Sequence, residues 1–102
     1  MVKIYFERGG GFAGTHITAI IDSKELTQDE GQELGELVNR SNFFNLPPLV
    51  TSKKLGADRF NYKLTVETEG KRHSVVINEG AVTPELRTLL QWLTAKAKEK
   101  GR

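Results

Sequence analysis

The sequence predicts an α+β fold in the order β-β-α-β-β-α, closed as one four-stranded, mostly antiparallel sheet with two helices packed on one face. Three observations predict it. Two pairs of stretches with period-2 alternation are each joined by a glycine-containing connection. Each pair is followed by a stretch whose apolar residues recur at helical spacing. Each hairpin then exposes one apolar face and each helix one apolar stripe, so placing both helices on the same face buries all of them together. The two halves look like one hairpin-plus-helix unit used twice, with too little identity between them to define a repeat. The 102 residues fit a single domain, 1–102.

The first strand alternates Val2, Ile4 and Phe6 with Lys3, Tyr5 and Glu7. The second alternates Ile17, Ala19 and Ile21 with Thr18, Ile20 and Asp22. Between them runs Gly9-Gly10-Gly11-Phe12-Ala13-Gly14, which holds four of the ten glycines. Glycine supplies the positive φ a turn needs. A large apolar group at the tip has no such purpose, so Phe12 either folds back onto the sheet or is presented to a partner.

Thr27-Gln28-Asp29-Glu30 matches a capping box, with the Thr27 hydroxyl and the Glu30 carboxylate each taking a backbone N–H. The helix that follows carries Leu34, Leu37 and Val38 on one face and ends near Arg40. Gly31 and Gly35 each cost ~1 kcal/mol against Ala inside a helix. Either they permit close approach of helix to sheet, or they sit exposed and simply weaken the helix. Phe43, Phe44 and Leu46 read as core material at the corner, and Pro47-Pro48 stops regular structure there. From Pro47 to about Asp58 no period is visible. A connection of ~12 residues is long for so small a domain, and such loops often carry function.

Phe60, Tyr62, Leu64 and Val66 mark the inward face of a third strand. Glu69-Gly70 signals a tight turn. His73, Val75 and Ile77 mark a fourth strand, with Val76 blurring the alternation. Thr83-Pro84-Glu85 starts the second helix as N-cap, first residue and acidic first turn. Its stripe is Leu86, Leu89, Leu90, Leu93 and Ala97, with Trp92 at the margin and Gly101 just past the end. The outer face of the sheet, with Lys3, Tyr5, Glu7, Thr18, Lys63, Thr65 and Glu67, is expected to be solvated.

Composition narrows the function. The absence of cysteine excludes a disulfide framework, a thiolate metal site and a cysteine nucleophile. Net charge is only +2, and Lys96, Lys98, Lys100 and Arg102 suit the C-terminal end of a helix dipole. A nucleic-acid footprint needs a broader basic stripe with interleaved aromatics, so no nucleic-acid partner is expected. No stretch is apolar enough to span a membrane. The chain runs directly into strand pattern without a signal peptide, so a cytoplasmic location is expected, with export by another route left open.

The residues offer little chemistry. His16 and His73 are the only imidazoles, both on strands, and no HExxH, CxxC or acidic ligand set accompanies them. The glycine run lacks a GK[ST] ending and precedes a strand, so the helix N-terminus that would hold phosphate is missing. Ser23, Ser41, Ser52 and Ser74 lie outside any nucleophile-elbow motif. Asp58 and Arg59 point to opposite sides of a strand, where they hold the long loop to the sheet or Arg59 meets a carboxylate elsewhere. The chain reads as a non-enzyme, without cofactor or metal, that works through its surface.

Four stretches together carry a resemblance. They are Glu7-Arg8-Gly9-Gly10-Gly11-Phe12-Ala13-Gly14, Phe43-Phe44-Asn45-Leu46-Pro47, Ala57-Asp58-Arg59-Phe60-Asn61-Tyr62, and Thr83-Pro84-Glu85-Leu86 with Leu90-Gln91-Trp92-Leu93. In this order and spacing the chain resembles the emfourin family, small protealysin-associated proteins that inhibit thermolysin-like (M4 family) metalloproteases. The resemblance implies a protein that plugs the active-site cleft of such a protease, and a monomer is expected when it is free. The expected contact surface is Gly10, Gly11, Phe12, Ala13 and Gly14, with Leu49, Lys53 and Lys54 of the 47–58 loop as a second contact. Thermolysin-like enzymes favour a bulky apolar side chain just after the cleaved bond, a pocket that Phe12 suits. Burying a Phe contributes ~1.5–3 kcal/mol, an anchor but not a whole interface of ~800 Å² per partner. No zinc-ligating residue is carried over. The competing reading is a small regulatory or scaffold module that binds another protein or nucleic acid, with the glycine run serving only as a turn.

Overall fold

The computed structural model describes residues 2–10, 15–51 and 60–100. In chain order the elements are β1 (Val2–Gly10), β2 (Thr15–Asp22), α1 (Gln28–Arg40), β3 (Leu49–Val50), β4 (Phe60–Thr68), β5 (Lys71–Asn78) and α2 (Pro84–Lys100). Short 3-10 turns follow β2, α1 and β5. The α+β architecture and both helices match the expectation, but the sheet has five strands, ordered β2-β1-β4-β5-β3, and is mixed.

The fifth strand is the correction. Leu49 and Val50 pair in parallel with Val76 and Ile77, and the Pro48 carbonyl accepts from the Val76 amide at 2.8 Å. Leu46, before Pro47, is extended at φ −74° and ψ 147°, as a residue preceding proline prefers, and a proline keeps its carbonyl as acceptor although it has no N–H. The segment 47–58, read as aperiodic throughout, therefore begins on the sheet. A two-residue strand is too short to show a period.

β1 lies inside the sheet. It pairs antiparallel with β2 through Ile4↔Ile21 and Phe6↔Ala19, and with β4 through Ile4↔Val66 and Phe6↔Leu64. The alternate residues of these strands form the inner face. Ile4, Phe6, Ile21, Tyr62, Leu64, Val66, Val75 and Ile77 are buried there against Leu34, Leu37 and Val38 of α1 and the α2 stripe from Leu86 to Ala97. Phe43 closes the corner after α1, where Phe44 and Leu46 are half-buried.

The capping box forms as read. Thr27 Oγ1 accepts from Glu30 N at 3.1 Å, and Glu30 Oε1 accepts from Thr27 N at 3.0 Å. The other Glu30 oxygen, Oε2, accepts from Lys96 Nζ and so ties α1 to α2. Trp92 Nε1 donates to Glu33 at 2.6 Å across the same pair of helices. Lys100 Nζ donates to the Ile20 carbonyl, which blunts the edge strand β2. Gly31 and Gly35 do not serve close packing. A Cβ added at either meets nothing within 4 Å, although both are half-buried rather than exposed.

The opposite face of the sheet carries Lys3, Tyr5, Glu7, Thr18, Lys63 and Glu67, as expected. Thr65 lies among them yet is buried, its hydroxyl hydrogen-bonded to Ser74 Oγ at 2.8 Å on the neighbouring strand. No helix among the described residues is long and apolar enough to cross a membrane.

Candidate functional site

Strand direction defines the site. β1, β3 and β5 run toward one end of the sheet, and β2 and β4 start from it. Gly10 pairs with Thr15 on one side and stands opposite Phe60 on the other. Residues 11–14 join Gly10 to Thr15, and residues 52–59 join Thr51 to Phe60. Both segments that carry predicted contacts thus leave and rejoin the sheet at the same end.

The predicted site residues divide three ways. Gly10 is exposed at φ 90°, a conformation glycine adopts without steric cost. Leu49 is 58% exposed on the open face beside Val76. It stands three strand spacings from β1, about 14 Å at the usual separation. The structure therefore places Leu49 on the opposite edge from the base of the glycine hairpin. Gly11, Phe12, Ala13, Gly14, Lys53 and Lys54 lie outside the described residues, as do Ser52, Asp58 and Arg59.

The sheet end itself is braced on both faces. On the inner face Arg8 continues the period of Ile4 and Phe6 and sits opposite Tyr62. Its guanidinium lies 4.1 Å above the centre of the Phe60 ring. These two residues are diagonal neighbours on adjacent strands, within reach for long side chains. The Arg8 Nε is buried and has no hydrogen-bond partner among the described residues. Glu79, in the turn after β5, accepts from the Phe60 backbone amide at 3.0 Å. Burial raises the Tyr62 phenol pKa, the Glu79 carboxylate adds to the rise, and Arg8 opposes it. Across the open-face side, Asn78 Nδ2 donates to Asn61 Oδ1 at 3.1 Å.

His16 lies on the open face at the hairpin base, 3.6 Å from Glu7. Its ring covers Gly9, where a Cβ would stand 3.3 Å from Nδ1. Such an exposed pair contributes little to stability. His73 sits elsewhere, half-buried as expected, with Nε2 2.8 Å from the Leu46 carbonyl and its ring 5.5 Å from that of Phe43. That role is structural. Among the described residues no group of three His, Cys, Asp or Glu side chains is placed to hold a metal ion.

Of the three serines inside the described residues, Ser74 pairs with the Thr65 hydroxyl, Ser23 Oγ accepts from Val2 N at 2.9 Å and Ser41 donates to the Val38 carbonyl at 2.8 Å. None of these partners is a base that would activate a serine. The open face holds a shallow concavity of about 410 Å³, lined by Tyr5, Glu7, Thr18, Ile20, Lys63 and Arg72. Charges alternate across it: Lys3 lies opposite Glu67 and Glu7 opposite Lys63. It presents no patch of one sign.

Sequence reading missed Arg8 and Glu79. The signal for Arg8 was present: an arginine at the next inward position of a strand whose other inward residues are apolar. Glu79 carried none, because it acts across 19 residues on a backbone amide.

The family model described as Emfourin matches residues 6–94. Among solved structures, emfourin (M4in) from Serratia proteamaculans, described as an M4 family peptidase inhibitor, aligns with a TM-score of 0.48 at 17% identity. The alignment covers 87% of this chain and 85% of that one. No curated protein matches the chain.

Proposed function

The chain belongs to the emfourin family, and we propose that it is a protein inhibitor of thermolysin-like zinc metalloproteases that blocks the active-site cleft through surface loops. Family membership over residues 6–94 is the observation that carries the reading. The sheet topology supports it, because one end of each predicted contact segment lies where Gly10 stands opposite Phe60. The protein acts by binding and has no catalytic step of its own.

In this reading Phe12 is the anchor and enters the pocket that takes the residue after the cleaved bond. The glycines around it, without Cβ atoms, let the backbone approach the cleft walls. Lys53 and Lys54 add contacts from the second segment, and Leu49 contributes at the rim of the interface. The chain supplies no ligand to the protease zinc; it excludes substrate by occupying the cleft. The free protein is a one-domain monomer without cofactor.

The test is inhibition of a panel of thermolysin-like proteases by the purified protein and by Phe12→Ala. The parent is expected to inhibit with substrate-competitive kinetics. Phe12→Ala should weaken inhibition about 10- to 100-fold, the equivalent of one buried aromatic anchor, at an unchanged denaturation midpoint. Full inhibition by a folded Phe12→Ala would remove the anchor assignment. A parent protein that inhibits none of the panel would remove the functional class.

A further inference from the structure

We propose that Arg8 is a positioning residue for protease binding: by stacking on Phe60 it fixes Gly10, at the base of the glycine hairpin, against the start of β4, so that this end of the sheet is set before a protease docks on it. The inference rests on the inhibitor reading above and goes beyond it by assigning a role to a residue away from the contact segments themselves.

Arg8 lies two residues before Gly10, where the hairpin leaves the sheet, and Phe60 is the residue at which the 52–59 segment returns. The guanidinium at 4.1 Å from the ring centre is within cation–π range, where the attraction strengthens as water is excluded. Here water is partly excluded, since both residues are half-buried and the Nε is buried. A third group completes the brace: the Glu79 carboxylate holds the Phe60 amide, so Phe60 is fixed by side chain and by backbone together. Three elements, β1, β4 and the turn after β5, thereby meet at one residue.

An arginine is a costly choice for this position if filling the inner face were its only purpose. Neighbouring inward positions use Ile4 and Phe6, which bury fully and need no partner. Arg8 instead keeps a charged group half-buried, and taking a charge out of water costs more than filling the same space with an apolar side chain. What it adds is a planar cation that orients an aromatic ring. Fixing the Gly10 and Phe60 backbones relative to one another before the encounter lowers the ordering cost of association.

The experiment compares wild type, Arg8→Lys, Arg8→Met and Phe60→Leu. Met keeps the aliphatic volume and removes the planar cation; Leu keeps apolar filling and removes the ring. Each variant is measured for urea midpoint, for inhibition constant against a thermolysin-like protease, and for amide exchange at Phe60 and Asn61. Arg8→Met is expected to hold its midpoint within about 0.3 M urea while the inhibition constant rises about tenfold. Arg8→Lys should fall between, because an ammonium retains part of the ring attraction without the stacked plane. Faster exchange of the Phe60 amide in Arg8→Met is expected even in the absence of protease.

Inhibition within twofold of wild type by folded Arg8→Met overturns the proposal, as does a loss that disappears once corrected for the folded fraction. If Arg8→Met fails to fold, Phe60→Leu carries the same comparison from the other partner. A wild type that inhibits no protease defeats the inhibitor reading, and unchanged Phe60 exchange in Arg8→Met then defeats the brace independently.

Discussion

The two ends of the sheet are closed by different means. At one end β4 turns into β5 through two residues, Glu69 and Gly70, with Thr68 paired directly to Lys71. Ser23 accepts from the Val2 amide there, and Asp22 caps the following turn through the Lys24 amide. Beside this end Glu30 with Lys96 ties α1 to α2, and Lys100 with Glu25 ties α2 to the turn after β2. At the other end the chain leaves the sheet through longer connections, and the bracing comes from side chains reaching between strands: Arg8 onto Phe60, Glu79 onto the Phe60 amide. The first end needs only to close. The second end holds Gly10 and Phe60 in a fixed relation, which is what the proposed protease surface requires.

The comparison can be broken by substitutions that separate stability from inhibition. Gly70 adopts φ +78°, and a Cβ there meets nothing within 4 Å, so Gly70→Ala should carry a backbone cost alone. About 1–2 kcal/mol of stability is expected to be lost in urea denaturation, with inhibition by the folded fraction unchanged. A drop in inhibition by that fraction would show that the turn end also contributes to the interface.

Glu79→Ala tests the opposite end. It leaves the Phe60 amide without its acceptor and should cost about 1 kcal/mol. Unlike Gly70→Ala, it should weaken inhibition beyond what lost stability explains. Equal behaviour of the two variants would erase the distinction between the ends.

The smallest expected effect is on acid sensitivity. The Glu30 carboxyl pKa is held below its ordinary value by its hydrogen bond to Lys96 and then by the Thr27 amide. A lowered folded pKa gives stability that is present above the unfolded value, about 4.3, and is lost as pH falls through the folded one. The Lys96 ammonium pKa is raised, chiefly by Glu30, so its share is present below about 10.4 and is lost at still higher pH. Glu30→Gln should therefore flatten the decline in stability below about pH 4.3. An identical acid limb in denaturation midpoints against pH would show that the pair carries no net stabilisation.

What could be read from the sequence followed the range of the interactions. The capping box at Thr27 and Glu30, the Thr83-Pro84 helix start and the Glu69-Gly70 turn depend on neighbours within a few residues, and each formed as read. Burial on the inner face followed from period alone. The pairing of β1 with β4 joins residues about sixty positions apart, such as Ile4 and Val66, so strand order had no local signature. Leu49-Val50 was invisible for the same reason, made worse by its length. Gly31 and Gly35 showed the limit of composition, since a glycine suggests close packing but only the surroundings decide it. Of the candidate site, Gly10 and Leu49 could be placed, one at the hairpin base and the other on the far edge, whereas Arg8 had been passed over at a position that the strand period already marked as inward.

The most direct test is the footprint of a thermolysin-like protease on the amide spectrum of the isotopically labelled protein. Binding is expected to shift or broaden the signals of Gly9, Gly10, His16, Phe60 and Asn61 while leaving Glu69, Gly70 and Lys71 unchanged, and the footprint should vanish when the protease cleft is pre-filled by a small active-site inhibitor. A footprint centred on Glu69 to Lys71, or one that survives a filled cleft, would contradict the account.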